Sequence, residues 1–136
     1  MEQQDVGQGL AHNVREILAG APVLDSGSAT ARQDLSTTWR GFGCLDDFTI
    51  GGRRFVGASP WELHPYNDEL LFVLDGELEV TLLTGPTPTK SKVGPGCLFV
   101  VPKGTWHRQT AWEPVSSWGV TATQHDQISF ADDPRF

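Results

Sequence analysis

Turn signals crowd this sequence too densely for long regular helices. Fifteen glycines and nine prolines are spread through 136 residues, and the apolar runs between them are short. Proline removes a backbone donor and glycine costs backbone entropy, so such a chain does not build long helices. It suits many short strands joined by turns.

One short helix is expected near the start. Leu10, Val14, Ile17 and Leu18 repeat at helical spacing, and Gly20 stands where a helix ends. Ala21 to Ser36 has only a weak pattern around the cluster Asp25-Ser26-Gly27-Ser28, and reads as an irregular arm. From Thr37 the character changes to strands. Thr37 to Phe42 suits one strand. Phe48-Thr49-Ile50 and Arg53-Arg54-Phe55-Val56 flank Gly51-Gly52, a pair suited to a tight hairpin. Glu69 to Leu74 and Leu78 to Leu83 flank Asp75-Gly76, a stronger form of the same signal. Thr84 to Ser91 reads as a Pro/Thr loop. Gly94-Pro95-Gly96 leads into the strand Cys97 to Val101. Pro102-Lys103-Gly104 leads into Trp106 to Trp112, and Ser117 to Ala122 is the last strand.

About seven or eight strands at this spacing predict an all-β protein, an antiparallel sandwich or barrel with a short N-terminal helix. The expected division is a helix and arm over 1–36, a barrel over 37–122 and a loose polar tail over 123–136. Edge strands and the apolar arm residues Val23 and Leu24 need cover, which predicts a homodimer.

The net charge of −7 disfavours nucleic acid and anionic membrane as partners, because both reward clustered Lys and Arg. Cys44 and Cys97 are far apart and in no metal-like spacing. They read as reduced, mostly buried thiols. The opening MEQQDVGQGL has neither a basic nor an apolar region of a secretory signal, and no apolar run approaches membrane length. The expected location is the cytoplasm.

Four side chains carry candidate chemistry. Glu62 and His64 are two apart and would share one face of a strand. Glu69 begins the next strand and His107 a later one. If these strand ends face one interior, imidazole and carboxylate groups converge there, a donor set suited to a divalent metal such as Fe, Mn, Ni or Zn. Alternation from Glu69 places Leu71 and Val73 inward, and from His107 places Gln109 and Ala111 inward. Leu78, Val80 and Leu82 are candidates for an apolar wall. Gln109 could hydrogen-bond a substrate. Counting back from Glu62, Arg54 would face inward to bind an anionic substrate, unless Pro60 breaks the register. Trp61, Trp106, Trp112 and Trp118 read as barrel packing, and His12 and His125 as solvated.

Two segments bear a family resemblance. Glu62-Leu-His64-Pro-Tyr-Asn-Asp-Glu69-Leu-Leu-Phe-Val-Leu-Asp-Gly76 resembles the first cupin motif, G-x5-H-x-H-x(3,4)-E-x6-G, at His64, Glu69 and Gly76. Gly96-Cys-Leu-Phe-Val-Val-Pro102-Lys-Gly104-Thr-Trp-His107 resembles the second, G-x5-P-x-G-x2-H-x3-N, at Gly96, Pro102, Gly104 and His107. The departures are Glu62 for the first histidine, Gly57 one residue away from the opening glycine, and Ala111 for the final asparagine.

The resemblance implies a jelly-roll-like cupin barrel, also described as a double-stranded β-helix, with one divalent metal held by His64, Glu69 and His107. Glu62 would be a fourth ligand, a neighbour of the ligands or a catalytic base. Cupins include dioxygenases, isomerases, decarboxylases and lyases, so the resemblance implies a metal-dependent enzyme on a small organic substrate. Two histidines and one carboxylate tilt the reading towards an oxygenase. The alternative is a non-catalytic small-molecule binder with a structural metal or none.

Overall fold

The computed structural model describes residues 7–122 and 125–136. The expected tail boundary at residue 123 lies outside the described residues. In chain order the elements are α1 (Val14–Ala19), β1 (Val23–Asp25), α2 (Ala31–Thr38), β2 (Arg40–Leu45), β3 (Phe48–Ala58), β4 (Trp61–Leu63), β5 (Glu69–Asp75), β6 (Leu78–Leu82), β7 (Thr89–Val93), β8 (Leu98–Val101), β9 (His107–Thr121) and β10 (Gln127–Ser129). The all-β expectation holds, and so does the short first helix. Asn13 caps that helix by accepting from the Glu16 amide, and Gly20 ends it.

The long strand β9 organises the sheet. One edge of β9 carries β3 and then β4, which meets it at Glu62–His107. The other edge carries β5, whose Leu70–Asp75 face 116–120, and then β6, whose Glu79–Leu82 face 107–110. β8 extends the sheet from β5, and β7 from β6. β9 is irregular around Trp112–Pro114: β3 advances from Phe55 to Gly57 while β9 advances from Val115 to Ala111. Along this line the sheet folds over. Leu71, Val73 and Val101 from one half then meet Leu78, Val80, Leu82 and Val93 from the other in one core. Complete burial of side chains such as Val73, Leu78 and Val80 contributes roughly 1.5–3 kcal/mol each. The sheet is rolled but leaves open edges among the described strands.

Several local expectations are overturned. Asp75-Gly76 does not form a hairpin. β5 and β6 both run antiparallel to β9 along the same edge, so the pair turns a corner instead of reversing the chain. Gly76 takes φ +85°, and a Cβ there would meet the Pro114 carbonyl oxygen at 2.8 Å. Gly51-Gly52 is not a turn either. Both lie inside β3, where a Cβ on Gly51 would run into the Trp39 indole and one on Gly52 would approach the Ser117 carbonyl oxygen at 2.5 Å. The actual hairpin turn is Asp46-Asp47, with Asp46 at φ +49°, a conformation that aspartate tolerates.

Part of the expected Pro/Thr loop is β7, and the two expected strands over 106–122 are one strand, β9. The arm is more regular than its sequence suggests. β1 adds in parallel to β3, and α2 runs through Thr37 into Thr38. The C-terminal residues are not a loose tail: β10 pairs with β4. Cys44 is half-buried and Cys97 is exposed, so burial holds for neither thiol in full. Trp112 is 66% exposed and takes no part in packing the core.

Candidate metal centre

Two turns aim the candidate ligands. The Asp68 carboxylate accepts from the Lys103 amide at 2.9 Å, and the His64 carbonyl accepts from the Gly104 amide at 2.8 Å. The turn between His64 and Glu69 is thereby tied to the turn before His107. Glu62 and His107 are direct cross-strand partners. Alternation brings Glu69, Leu71 and Val73 to the inner face of β5.

The four expected residues come together. Glu69 Oε1 lies 3.4 Å from His64 Nε2 and 3.2 Å from His107 Nε2. Glu62 Oε2 lies 3.7 Å from His64 Nε2. One donor atom each from Glu62, His64 and His107 falls within 4.8 Å of the others. His64, Glu69 and His107 are buried and Glu62 is half-buried.

The two imidazoles are held from behind. His64 Nδ1 lies 2.7 Å from Asp126 Oδ1, and His107 Nδ1 lies 3.2 Å from the Thr105 carbonyl oxygen. When each Nδ1 carries the proton, each Nε2 is left with a lone pair pointing inward. His64 Nε2, His107 Nε2 and Glu69 Oε1 are fully buried without a hydrogen-bond partner among the described residues. Such orphaned atoms cost about 1–3 kcal/mol each, and a cation between them would satisfy all three at once. The residues present therefore fit a divalent metal.

The electrostatics are those of a crowded acidic site. Burial would raise the Glu69 carboxyl, but the imidazoles of His107 and His64 outweigh it and hold the group down at about 2. Burial would likewise lower the His64 imidazole, but the carboxylates of Glu69 and Asp126 outweigh it and lift the group to about 9. Glu62 is pushed up, first by burial and then by Glu69.

The site opens into a cavity of about 840 Å³. Gln109 lines it, as expected from alternation, together with Phe55, Leu71, Trp39 and Trp118. Arg54 is not among the lining residues. Its guanidinium instead donates to the Ala19 and Ala21 carbonyls at 3.3 Å. Arg53 lines the cavity in its place, donating to Thr38 Oγ1 and the Leu35 carbonyl. Gly57 at φ +96° and the break between β3 and β4 at Ser59-Pro60 interrupt the alternation, so counting back from Glu62 picks the wrong arginine. Asp126 also lines the cavity. It comes from a polar stretch with no motif, so nothing local in the sequence marks it. His125 is exposed, as expected, whereas His12 is half-buried with Nε2 3.1 Å from the Gly7 carbonyl oxygen.

A family model described as a cupin domain matches residues 56–112, the stretch that holds Glu62, His64, Glu69 and His107. The chain carries a cupin domain over this stretch. This cupin is 38% identical over 63 residues to the rhicadhesin receptor of Pisum sativum. The match takes in 44% of the chain but only 29% of the pea protein. Among solved structures, protein NMB1881 from Neisseria meningitidis superposes with a TM-score of 0.62 at 19% identity, over 83% of this cupin and 99% of that chain. Hydroquinone 1,2-dioxygenase PnpCD, determined with Cd2+ and 4-hydroxybenzonitrile, superposes with a TM-score of 0.59 at 19% identity, over 83% of this cupin and 72% of that chain. Likenesses at this identity establish the fold and not the reaction. No helix among the described residues is long and apolar enough to cross a membrane.

Proposed function

We propose that this cupin is a metal-dependent enzyme acting on a small organic substrate, with oxygenase chemistry ahead of isomerase or lyase chemistry. One observation carries the reading: His64 Nε2, His107 Nε2 and Glu69 Oε1 converge, buried and unpartnered, at a cavity of about 840 Å³. A space of that size suits a small ligand. Fe, Mn, Ni or Zn would be held by His64, Glu69 and His107, with Glu62 as a fourth ligand or a base. When bound, such an ion polarises a carbonyl, activates water or binds O₂. The donor set of two histidines and one carboxylate supports the oxygenase arm.

The chain's own groups supply the rest. Glu62, with its carboxyl pushed up, can hold or accept a proton at Oε2 on the cavity side. Gln109 offers both a donor and an acceptor to a polar substrate group. Arg53 brings a positive charge to the cavity wall, which favours an anionic substrate. Trp39, Trp118, Phe55 and Leu71 line apolar surface for the substrate's carbon frame and displace water.

A second reading, a non-catalytic small-molecule binder, draws on the same cavity with Glu62 as a mere neighbour of the ligands. The homodimer is also part of the proposal. Leu98 and Val100 are 60% and 51% exposed on β8, an edge strand that a second copy would cover. The free state of Cys44 and Cys97 supports the cytoplasm as the compartment.

Elemental analysis of protein purified without a metal-affinity tag tests the central claim. About one divalent ion per chain is expected. Near-zero metal, even after incubation with Fe(II), Mn(II), Ni(II) and Zn(II), would leave the cavity binder as the better reading.

A further inference from the structure

We propose that Asp126 is a positioning residue for the metal centre, fixing the tautomer and aim of His64 from the C-terminal segment beyond the matched cupin domain. This rests on the metal-site reading above. Asp126 Oδ1 lies 2.7 Å from His64 Nδ1, the shortest polar contact that either candidate imidazole makes among the described residues. The side chains of His64 and Asp126 are 6% and 22% exposed, so water screens the pair only partly.

The placement follows from strand register. β10 pairs with β4 at Gln127–Leu63, Ile128–Glu62 and Ser129–Trp61. One step further along the same antiparallel register brings Asp126 beside His64. The segment is anchored at three further points. Trp61 Nε1 donates to the Asp132 carbonyl at 3.2 Å, Arg135 Nη1 donates to the Gly85 carbonyl at 2.8 Å, and the Arg32 guanidinium lies 4.2 Å from the Phe130 ring centroid. The C-terminal segment thus delivers a carboxylate to a defined place.

The two imidazoles are backed unequally. His107 Nδ1 has a neutral carbonyl 3.2 Å away, whereas His64 Nδ1 has a carboxylate at 2.7 Å. A carboxylate behind a ligating imidazole holds the proton on Nδ1, leaves Nε2 as the donor atom and makes it more basic. Asp126 would therefore govern how tightly His64 holds the ion.

Zn(II) affinity, measured by competition with a chromophoric chelator, tests this on the full chain. The absorption spectrum of Co(II)-loaded protein gives a second readout. Asp126→Ala should weaken Zn(II) binding about 10–100-fold and shift the Co(II) bands. Asp126→Asn can still accept from Nδ1–H but has lost its charge, so it should show a smaller loss and a smaller shift. If the alanine variant does not fold, the asparagine variant carries the test. Zn(II) affinity within twofold of wild type, or weaker binding with an unchanged Co(II) spectrum, would overturn the positioning role while leaving the metal site standing. Wild-type protein that binds neither ion would overturn both.

Discussion

Glu69 Oε1 stands 3.2 Å from His107 Nε2, and both atoms are fully buried without a hydrogen-bond partner among the described residues. The two residues begin different strands, β5 and β9. They meet because the turn ties from Asp68 to Lys103 and from His64 to Gly104 draw the two strand starts together.

Metal should stabilise the native fold, because the ion binds the assembled site far better than the unfolded chain. At a hundred times Kd the gain is about 2.7 kcal/mol, or roughly 10 °C in Tm for a domain of this size. Chelation should reverse it. His107→Ala should lower metal content and abolish the metal-dependent rise in Tm, as read by scanning fluorimetry with and without Zn(II).

Glu62→Gln separates ligand from base. A ligand role predicts a fall in metal affinity. A base role predicts retained metal and a loss of turnover of about 10²–10⁴-fold once a substrate is found. Elemental analysis and steady-state rates on the same preparation distinguish the two.

The metal-free protein should lose stability as pH rises from about 6.5 to about 9. His64 is lifted from an ordinary 6.5 to about 9, so its contribution is complete below 6.5 and is lost as pH rises through 9. Glu62, pushed up by burial and Glu69, adds a loss in the same direction above its ordinary 4.5. Glu69, held at about 2, acts oppositely: its contribution is complete above about 4.5 and disappears as pH falls towards 2. Each group changes stability by up to about 1.4 kcal/mol per pH unit inside its window. Urea unfolding of chelator-treated protein at about pH 3, 5 and 9 should therefore give its highest midpoint near pH 5, where Glu69 is fully ionised, the Glu62 loss has barely begun and the His64 contribution is intact.

Gly76→Ala should destabilise the fold by about 1–3 kcal/mol, with no direct contact to the metal site. It forces a Cβ into the left-handed region at φ +85° and against the Pro114 carbonyl oxygen at 2.8 Å. A lowered urea midpoint with an unchanged slope is the expected result.

The chain should be a dimer at micromolar concentration, with Leu98 and Val100 in or near the interface. Light scattering should give twice the chain mass of 14.9 kDa, and Leu98→Glu should shift it towards a single chain. A wild-type mass near that of one chain would contradict the dimer.

Much of the site was legible in the sequence because its groups sit at local landmarks. His64, Glu69 and His107 each lie within a few residues of a turn whose Pro, Gly or Asp marks it. Alternation along single unbroken strands then placed Leu71, Val73 and Gln109 correctly. Strand content was equally local, since turn residues and short apolar runs declare it without reference to the rest of the chain. Pairing was not. Asp75-Gly76 carries a hairpin signal, yet only the neighbouring β9, with its irregular stretch at Trp112–Pro114, makes it a corner. Gly51-Gly52 reads as a turn, but the pair lies within a strand where Trp39 and the Ser117 carbonyl leave no room for a side chain. Arg53 displaced Arg54 because the break at Ser59-Pro60 resets the alternation, and the size of such a reset depends on how two strands pack. Asp126 reached His64 only through the pairing of β10 with β4. Turn chemistry and side-chain period act over a few residues and can be read from the chain. Strand partnership and the convergence of distant groups depend on contacts across the fold, which only the tertiary structure decides.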